Sequence, residues 1–373
     1  ISFVVIYALS ATSAFALLST ITSGELISPL SPSDPVSTGT KATKLSINPD
    51  EPKSEVCPLN GQKYTPTERK AWEKLRPANV MIENTVEARP QSGLSSADII
   101  YEAVAEGGVT RFEAVFYCGA MANLGIVAPV RSARMHFVNL AAEYNTPIYV
   151  HVGGANCSAY QSGGPCTTNK KALAIEELFK LGWRHAGGND FDTIGDTGKP
   201  VLYRDESRLG ADVKLASEHT MIGDLEQIWK QAVKRGFADT MPKGESWLSG
   251  FKQWKFKDVS DSNYGTTALQ VNFEFWSGYK DFAVTWDFDS ATGLYKRSEG
   301  GAPLTDLETK QQLTARTVIV QFTKENGPLD EHKHYVYDVI GSGKALVFQN
   351  GSATEATWKK ADQKSRTIFS EAG

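Results

Sequence analysis

Two stretches decide the fold: RPANVMIENTVEARPQSGLSSADIIYEAVAEGGVTRFEAVFY, residues 76–117, and APVRSARMHFVNLAAEYNTPIYVHVGG, residues 128–154. Short β-type runs at 79–82, 99–103, 112–117 and 148–152 each deliver the chain to a corner carrying Arg, Glu, Asn, Thr or His. Apolar runs bounded by Gly and Pro are the pattern of buried strands, and polar groups at their ends sit where a sheet edge opens into a cleft. Helical spacing alternates with these runs. Phe137, Leu140, Ala141 and Tyr144 share a face within 129–144. Leu173, Ile175, Leu178 and Phe179 do so before Gly182, and Ile222, Leu225, Ile228, Trp229 and Val233 within 220–235 before Gly236. Thr65-Pro66-Thr67-Glu68 predicts the cap of a short helix through Trp72. The alternation predicts an α/β domain with a mixed sheet over residues 59–241.

Beyond Pro242 the character changes. Short β-prone runs at 254–256, 267–276, 282–288, 293–297, 317–323, 334–339 and 343–349 predict a smaller, mostly antiparallel β domain over 242–373, with a further strand pair beginning after 352. At the other end, residues 1–24 carry no charge, and 1–18 are almost wholly apolar or small. About 20 apolar residues suffice to cross a bilayer, so residues 1–23 are expected to form a transmembrane anchor. Ala14 and Ala16 offer a signal-peptide cleavage pattern as the alternative. Residues 24–58 are rich in Ser, Thr and Pro and predict a disordered linker. The remainder is then expected on the extracytoplasmic face of a cell membrane, or secreted after cleavage.

The net charge of −4 over 373 residues gives no basic face for nucleic acid. There are four cysteines, an even count that permits disulfides in an exported chain. Cys157 and Cys166 bracket a Ser/Gly/Pro-rich loop and predict a local bridge; Cys57 with Cys118 would then tie the N-terminal arm to the first domain. No CxxC pair or suitably spaced His supports zinc, and no metal or cofactor is expected.

Several corners could carry chemistry. In EGGVTR, paired glycines permit a tight turn that holds Glu106 and Arg111 at its flanks, with Thr110 beside them. In PVRSAR, Arg131 and Arg134 are three apart near a helix start with Ser132 between them, a spacing that places both on one helical face beside free N–H groups. Two guanidinium forks there suit a phosphate or carboxylate; pairing with Glu102, Glu106 or Glu143 is the alternative. His151 ends an apolar run before two glycines and is a candidate acid or base alongside Glu106. His219 is expected at the start of the third helix, after Arg204, Asp205 and Arg208. Asn84, Arg89 and Gln91 follow the first strand and could rim the cleft. His332 and His334 suggest a surface pair. The chain has no G-x-S-x-G elbow, Walker loop, G-x-G-x-x-G or H-E-x-x-H.

The elements RPQSGL, ADIIYE, EGGVTR and PVRSAR stand in one order over residues 76–151, preceded by CPLNG at 57–61. In this the chain resembles the YerB-like lipoproteins, a bacterial cell-envelope family whose main domain is of unknown function and is followed by a smaller C-terminal domain. The resemblance implies an envelope location and this two-part architecture, and brings no established activity. Two departures stand out. Many members attach through a cysteine just after the signal segment, whereas the first cysteine here is Cys57, which favours the apolar helix as anchor. At His219 the family's flanking proline and asparagine are replaced by Glu218 and Thr220. The leading expectation is binding of an anionic cell-wall polymer or glycan by Arg111, Arg131 and Arg134, oriented by Asn84, Arg89 and Thr110, with Ser132 and His219 alongside. The alternatives are an envelope hydrolase acting on a phosphodiester or glycosidic bond, with Glu106 or His151 as acid or base, and a scaffold that uses the β domain as its interface.

Overall fold

The structure is a computed structural model that describes residues 26–27, 44–45, 48, 50–122, 124–157, 166–240, 244–256 and 265–371. The expected anchor at 1–23 lies outside the described residues, and among those described no helix is long and apolar enough to cross a membrane. In chain order the first domain contains α1 (Pro66–Trp72), β1 (Ala78–Glu83), β2 (Ile99–Glu106), β3 (Val109–Phe116), β4 (Ile126–Val127), α2 (Met135–Ala141), β5 (Ile148–His151), α3 (Ala174–Lys180), β6 (Asp190–Asp192), β7 (Leu202–Arg204), β8 (Met221–Asp224) and α4 (Leu225–Lys234).

The main sheet runs β6-β5-β1-β3-β2. β5 and β6 are parallel to β1, and β3 is antiparallel to both β1 and β2, so the sheet is mixed as expected. Every residue of β1 is buried, because both faces are covered. Val80 and Ile82 join Phe112, Phe116 and Val150 against Trp72, Trp229 and Trp247 on one side. Met81 and Tyr149 face Phe137, Val138, Leu178 and Trp183 of the α2–α3 side on the other. A small antiparallel sheet, β7-β8-β4, lies beside α4.

Local chemistry explains the boundaries. Thr65 caps α1 with a reciprocal capping box to Glu68, and Pro66 opens the helix. The third helix begins later than its periodicity implies. Residues 221–224 form β8 because Leu202–Arg204 and Ile126–Val127 offer it strand partners, and Asp224 then caps α4 by accepting from Gln227 N. The second helix is also split: a 3-10 turn at Lys170–Ala172 precedes α3. Arg131 and Arg134 do not share a helical face. Arg134 is the N-cap of α2 in extended backbone, φ −133° and ψ 146°. Bonds from Arg131 N to Met81 O and from Ala133 N to Gly153 O hold this segment straight across the strand ends.

The C-terminal part contributes β9 (Gln270–Phe273), β10 (Val284–Asp289), β11 (Leu294–Glu299), β12 (Thr317–Gln321), β13 (Gly341–Gln349), β14 (Ser352–Lys360) and β15 (Ile368–Glu371). All their pairings are antiparallel, β9-β10-β11 in one sheet and β12-β13-β14-β15 in another. Residues 254–256, expected as a strand, form none; Trp254 instead lies over the Arg366 guanidinium at 3.8 Å. Both expected disulfides form, Cys57–Cys118 and Cys157–Cys166.

Buried charge joins the two parts. Glu143, 2% exposed, takes Lys360 Nζ at 3.1 Å and Arg366 Nη1 at 3.1 Å, and both cations are themselves buried. Arg297 spans Glu102 at 2.8 Å and Glu299 at 2.9 Å. Removing one member of such a cluster strands the others in a medium of low polarity, which costs about 3–5 kcal/mol. Glu143→Ala is therefore expected to lower the unfolding midpoint of both parts together, seen as one calorimetric transition displaced to lower temperature. Two transitions, only one of them displaced, would show that the parts fold independently.

Candidate functional site

Because β1, β2, β5 and β6 run in the same direction, their C-terminal ends share one edge of the sheet. That edge therefore collects Glu83, Glu106, His151 and Asp192, the last residues of the four strands. Ligands of open α/β sheets gather at this end. Residues 129–134 cross it and add Arg131, Ser132 and Arg134. Arg111 enters from the start of β3, opposite Glu83.

The hairpin between β2 and β3 has Gly107 and Gly108 at φ 53° and 86°, a two-residue turn that suits glycine. It holds Glu106 as the hub of an ion-pair cluster. Glu106 Oε1 accepts from Arg111 Nη2 at 2.7 Å, and Oε2 from Arg134 Nε at 2.9 Å. Burial alone would raise the Glu106 pKa, but Arg111 and Arg134 outweigh it and hold the carboxyl well below the usual range. A carboxylate so fixed in its ionised form has no proton to donate near neutral pH. Arg111 also donates to Ser132 O, and is only 2% exposed.

Glu83 is the second hub. His219 Nδ1 lies 2.9 Å from its Oε2 and Arg131 Nε 3.2 Å from its Oε1. His219 reaches it from a 3-10 turn, Ser217–His219, ahead of β8 and not from a helix start. Arg131 differs from its neighbours. Its side chain is 27% exposed, and among the described residues its guanidinium has the Glu83 ion pair but no hydrogen bond, the Nε being misaligned. Ser132 Oγ donates to Val152 O. Arg204 and Arg208 flank this corner. Arg208 donates to the carbonyls of Ala88, Pro90 and His219, tying the loop before β8 to the loop after β1.

The remaining candidates lie behind the rim. Asn84 Nδ2 donates to Thr110 Oγ1 at 2.7 Å and to Glu299 Oε1 at 2.6 Å; its Oδ1 accepts from Gln91 Nε2. Thr110 donates to Glu102, and Arg89 pairs with Glu299 and donates to Asp281 O. Asn84 and Arg89 are thereby engaged with the C-terminal part, and Thr110 within the first domain. His151 is fully buried, with Nε2 at 2.5 Å from Asp190 Oδ1 and Nδ1 at 2.7 Å from Gly153 O. Arg184 closes the cluster on Asp190 and Asp192. His334 is buried against Asp330, leaving His332 as the exposed member of the expected surface pair. Cys57, Asp98 and Cys118 come together, but the two sulfurs are bonded to each other and offer no thiolate for a metal.

Reading strand ends alone misses Glu83, Asp190 and Asp192. The signals exist: Glu83 is the last residue of NVMIE, and the alternation of NDFD puts both aspartates on one face of a short strand.

A family model described as "Protein of unknown function (DUF3048) N-terminal domain" matches residues 64–238, and its C-terminal counterpart matches 271–373. The chain belongs to the DUF3048 family. It is 28% identical over 317 residues to "Putative lipoprotein YerB" of Bacillus subtilis (strain 168), covering 84% of this chain and 81% of that protein. The crystal structure of YerB from Bacillus subtilis matches with a TM-score of 0.63 at 25% identity, covering 86% of this chain and 91% of that one. The DUF3048 chain thus has the relatives that the RPQSGL, EGGVTR and PVRSAR elements imply.

The His151 cluster generates a pH dependence. Burial alone would lower the His151 pKa, but Asp190 and Asp192 outweigh it and raise it above its ordinary value. A histidine raised in the folded state stabilises fully below its unfolded pKa of about 6.5 and loses that contribution as pH rises through the folded value. Proton-detected titration is expected to place the His151 midpoint above that of free histidine, and His151→Gln to flatten the decline of stability above neutral pH. A His151 midpoint below the free value would contradict this account of the cluster.

Proposed function

We propose that this DUF3048 protein sits at the extracytoplasmic face of the cell envelope, anchored to the membrane, and binds an anionic envelope ligand such as a wall polymer or glycan phosphate at the common strand-end edge. The observation that carries this reading is the state of Arg131. Arg111 and Arg134 are engaged with Glu106, while Arg131 offers a partly exposed guanidinium whose N–H groups have no hydrogen-bond acceptor among the described residues. Such a fork matches the oxygens of a phosphate or carboxylate.

Arg111, Arg131 and Arg134 face Glu83 and Glu106, with the exposed Glu218 also within electrostatic reach of Arg131, and in this mixed cluster the Arg131 guanidinium is left without a hydrogen bond among the described residues. Ser132, next to Arg131, and His219, across Glu83, border the contact. Glu106, permanently ionised between two arginines, and His151, enclosed beneath the rim, do not supply a proton at this surface. Recognition is therefore favoured over hydrolysis. The envelope location is supported by the similarity to a protein named as a lipoprotein.

A hydrogen bond to a charged group contributes about 1.5–3 kcal/mol, so Arg131→Ala is expected to weaken retention on purified, anionic cell wall by roughly tenfold or more. Retention by the parent chain should also fall as salt rises. His219 continues to satisfy Glu83, so the unfolding midpoint should stay close to the parent value. Equal retention of parent and variant across a salt series would remove the anion site.

A further inference from the structure

Residues 325–337 of the C-terminal part form a clasp on the first domain. Its two short strands, Glu325–Asn326 and Val336–Tyr337, pair antiparallel, and the second packs against α2. The loop between them is tied down ahead of α3, where Asn169 N donates to Asp330 Oδ2 at 2.9 Å and Asn169 Nδ2 to Leu329 O at 3.1 Å. His334 forms a β-bridge with Glu106, and its Nδ1 lies 2.9 Å from Asp330 Oδ2. Val336 and Leu329 pack with Ala155 and Ala172, and Tyr337 lies against the α2–α3 core.

Beneath the clasp lies a histidine without a partner. His136, in the first turn of α2, is fully buried, and among the described residues neither of its ring nitrogens has a hydrogen-bond partner. Its ring stands nearly perpendicular to that of Tyr337, centroids 5.3 Å apart at 79°, and 4.4 Å from that of Phe137. Burying an imidazole without hydrogen bonds forfeits its hydration, and a proton added there makes the loss far larger. The charges facing it also disfavour that proton. Burial, then Arg134 at the helix cap and Arg111 from β3, push the His136 pKa down to about 3 against the opposing pull of Glu106. From the clasp, the neighbouring group is the Tyr337 phenol, which donates to Glu325 Oε2 and is pushed well up by burial.

We propose that the 325–337 clasp is an acid-released latch, opened by protonation of His136. Displacing Tyr337 returns the imidazole to water, where its pKa is about 6.5. With the folded value depressed, the closed latch is at full strength above that pH. It weakens below it, by about tenfold in the closed-to-open ratio per pH unit, until the closed-state value is reached. His334 adds to the response in the same direction, since burial lowers it despite Asp330. Asp330 and Glu106 are held below the usual carboxylate range and stay ionised through mild acid, so they do not drive it. The latch bears on the strand-end edge through Glu106, whose carboxylate holds Arg111 and Arg134 while its backbone meets His334. It does not depend on a ligand at Arg131.

Amide hydrogen exchange of the full chain, corrected for the intrinsic effect of pH, tests the latch. Between about pH 7.5 and about pH 5 the protection of residues 325–337 is expected to fall by about thirtyfold, while that of β1 and β3 holds. His136→Leu, which places an apolar side chain of similar volume under Tyr337, should lose most of that fall, and His334→Gln should keep most of it. Proton-detected titration of the parent chain should place the His136 midpoint below that of free histidine, which decides the matter if the leucine variant does not fold. Clasp protection unchanged by acid, an undiminished acid response in a folded His136→Leu chain, or a His136 midpoint at or above the free value would overturn the proposal.

Discussion

Buried carboxylates that cannot be satisfied within their own domain govern the arrangement of this chain. Glu143 has no exposed surface on its side chain, and the cations that neutralise it come from the C-terminal part, Lys360 at the end of β14 and Arg366 in the connection to β15. Glu102 likewise meets Arg297. Burying ions is expensive, and a partly matched cluster is worse than an apolar one. Charge therefore helps hold the two parts in one geometry, because a displacement would separate buried ions from the partners that neutralise them. Arg366 makes this coupling tighter by lying over Trp254, Tyr144 and Phe251 as well as pairing with Glu143.

That geometry sets what the strand-end edge can do. Glu299, from the C-terminal part, holds Asn84 and Arg89, so the loop after β1 is fixed from behind. Glu106 holds Arg111 and Arg134 from the side. With these cations committed, the polar richness of the edge is mostly framework. Among the described arginines of this edge, Arg131 has a guanidinium without hydrogen bonds and stands out because its neighbours are so fully engaged. The framework around Arg131 is therefore rigid, with little side-chain freedom left in Arg111, Arg134, Asn84 or Arg89.

The strands were legible because they alternate and end in Gly, Pro or charge. β1, β2, β3 and β5 occupy the four runs read from residues 76–154, with ends that differ by one to three residues in either direction. The convergence of Glu106, Arg111, Arg131, Arg134 and His151 near one edge was legible for the same reason, since corners after parallel strands fall together. What each side chain does there was not. Helical spacing placed Arg131 and Arg134 on one face, yet strand-like hydrogen bonds to Met81 and Gly153 override local periodicity. Met221 and Ile222 fit a helical stripe as well as a strand, and only the presence of Arg204 and Tyr203 opposite them decides for β8. Long-range partners such as Glu299 for Arg89, 210 residues away, leave no trace in a local pattern.

The hairpin at Gly107–Gly108 shows how one short motif serves two surfaces. Its flanks carry Glu106 toward the arginines of the first domain, while its glycine backbone lets the Tyr279 ring of the second approach. A side chain at position 108 would push that ring away from its seat without touching Arg131. A bulky residue in place of Glu106 would release Arg111 and Arg134 while leaving the seat of Tyr279 intact. EGGVTR is therefore a structural joint: one half fixes two arginines of the first domain, and the other receives a ring of the second.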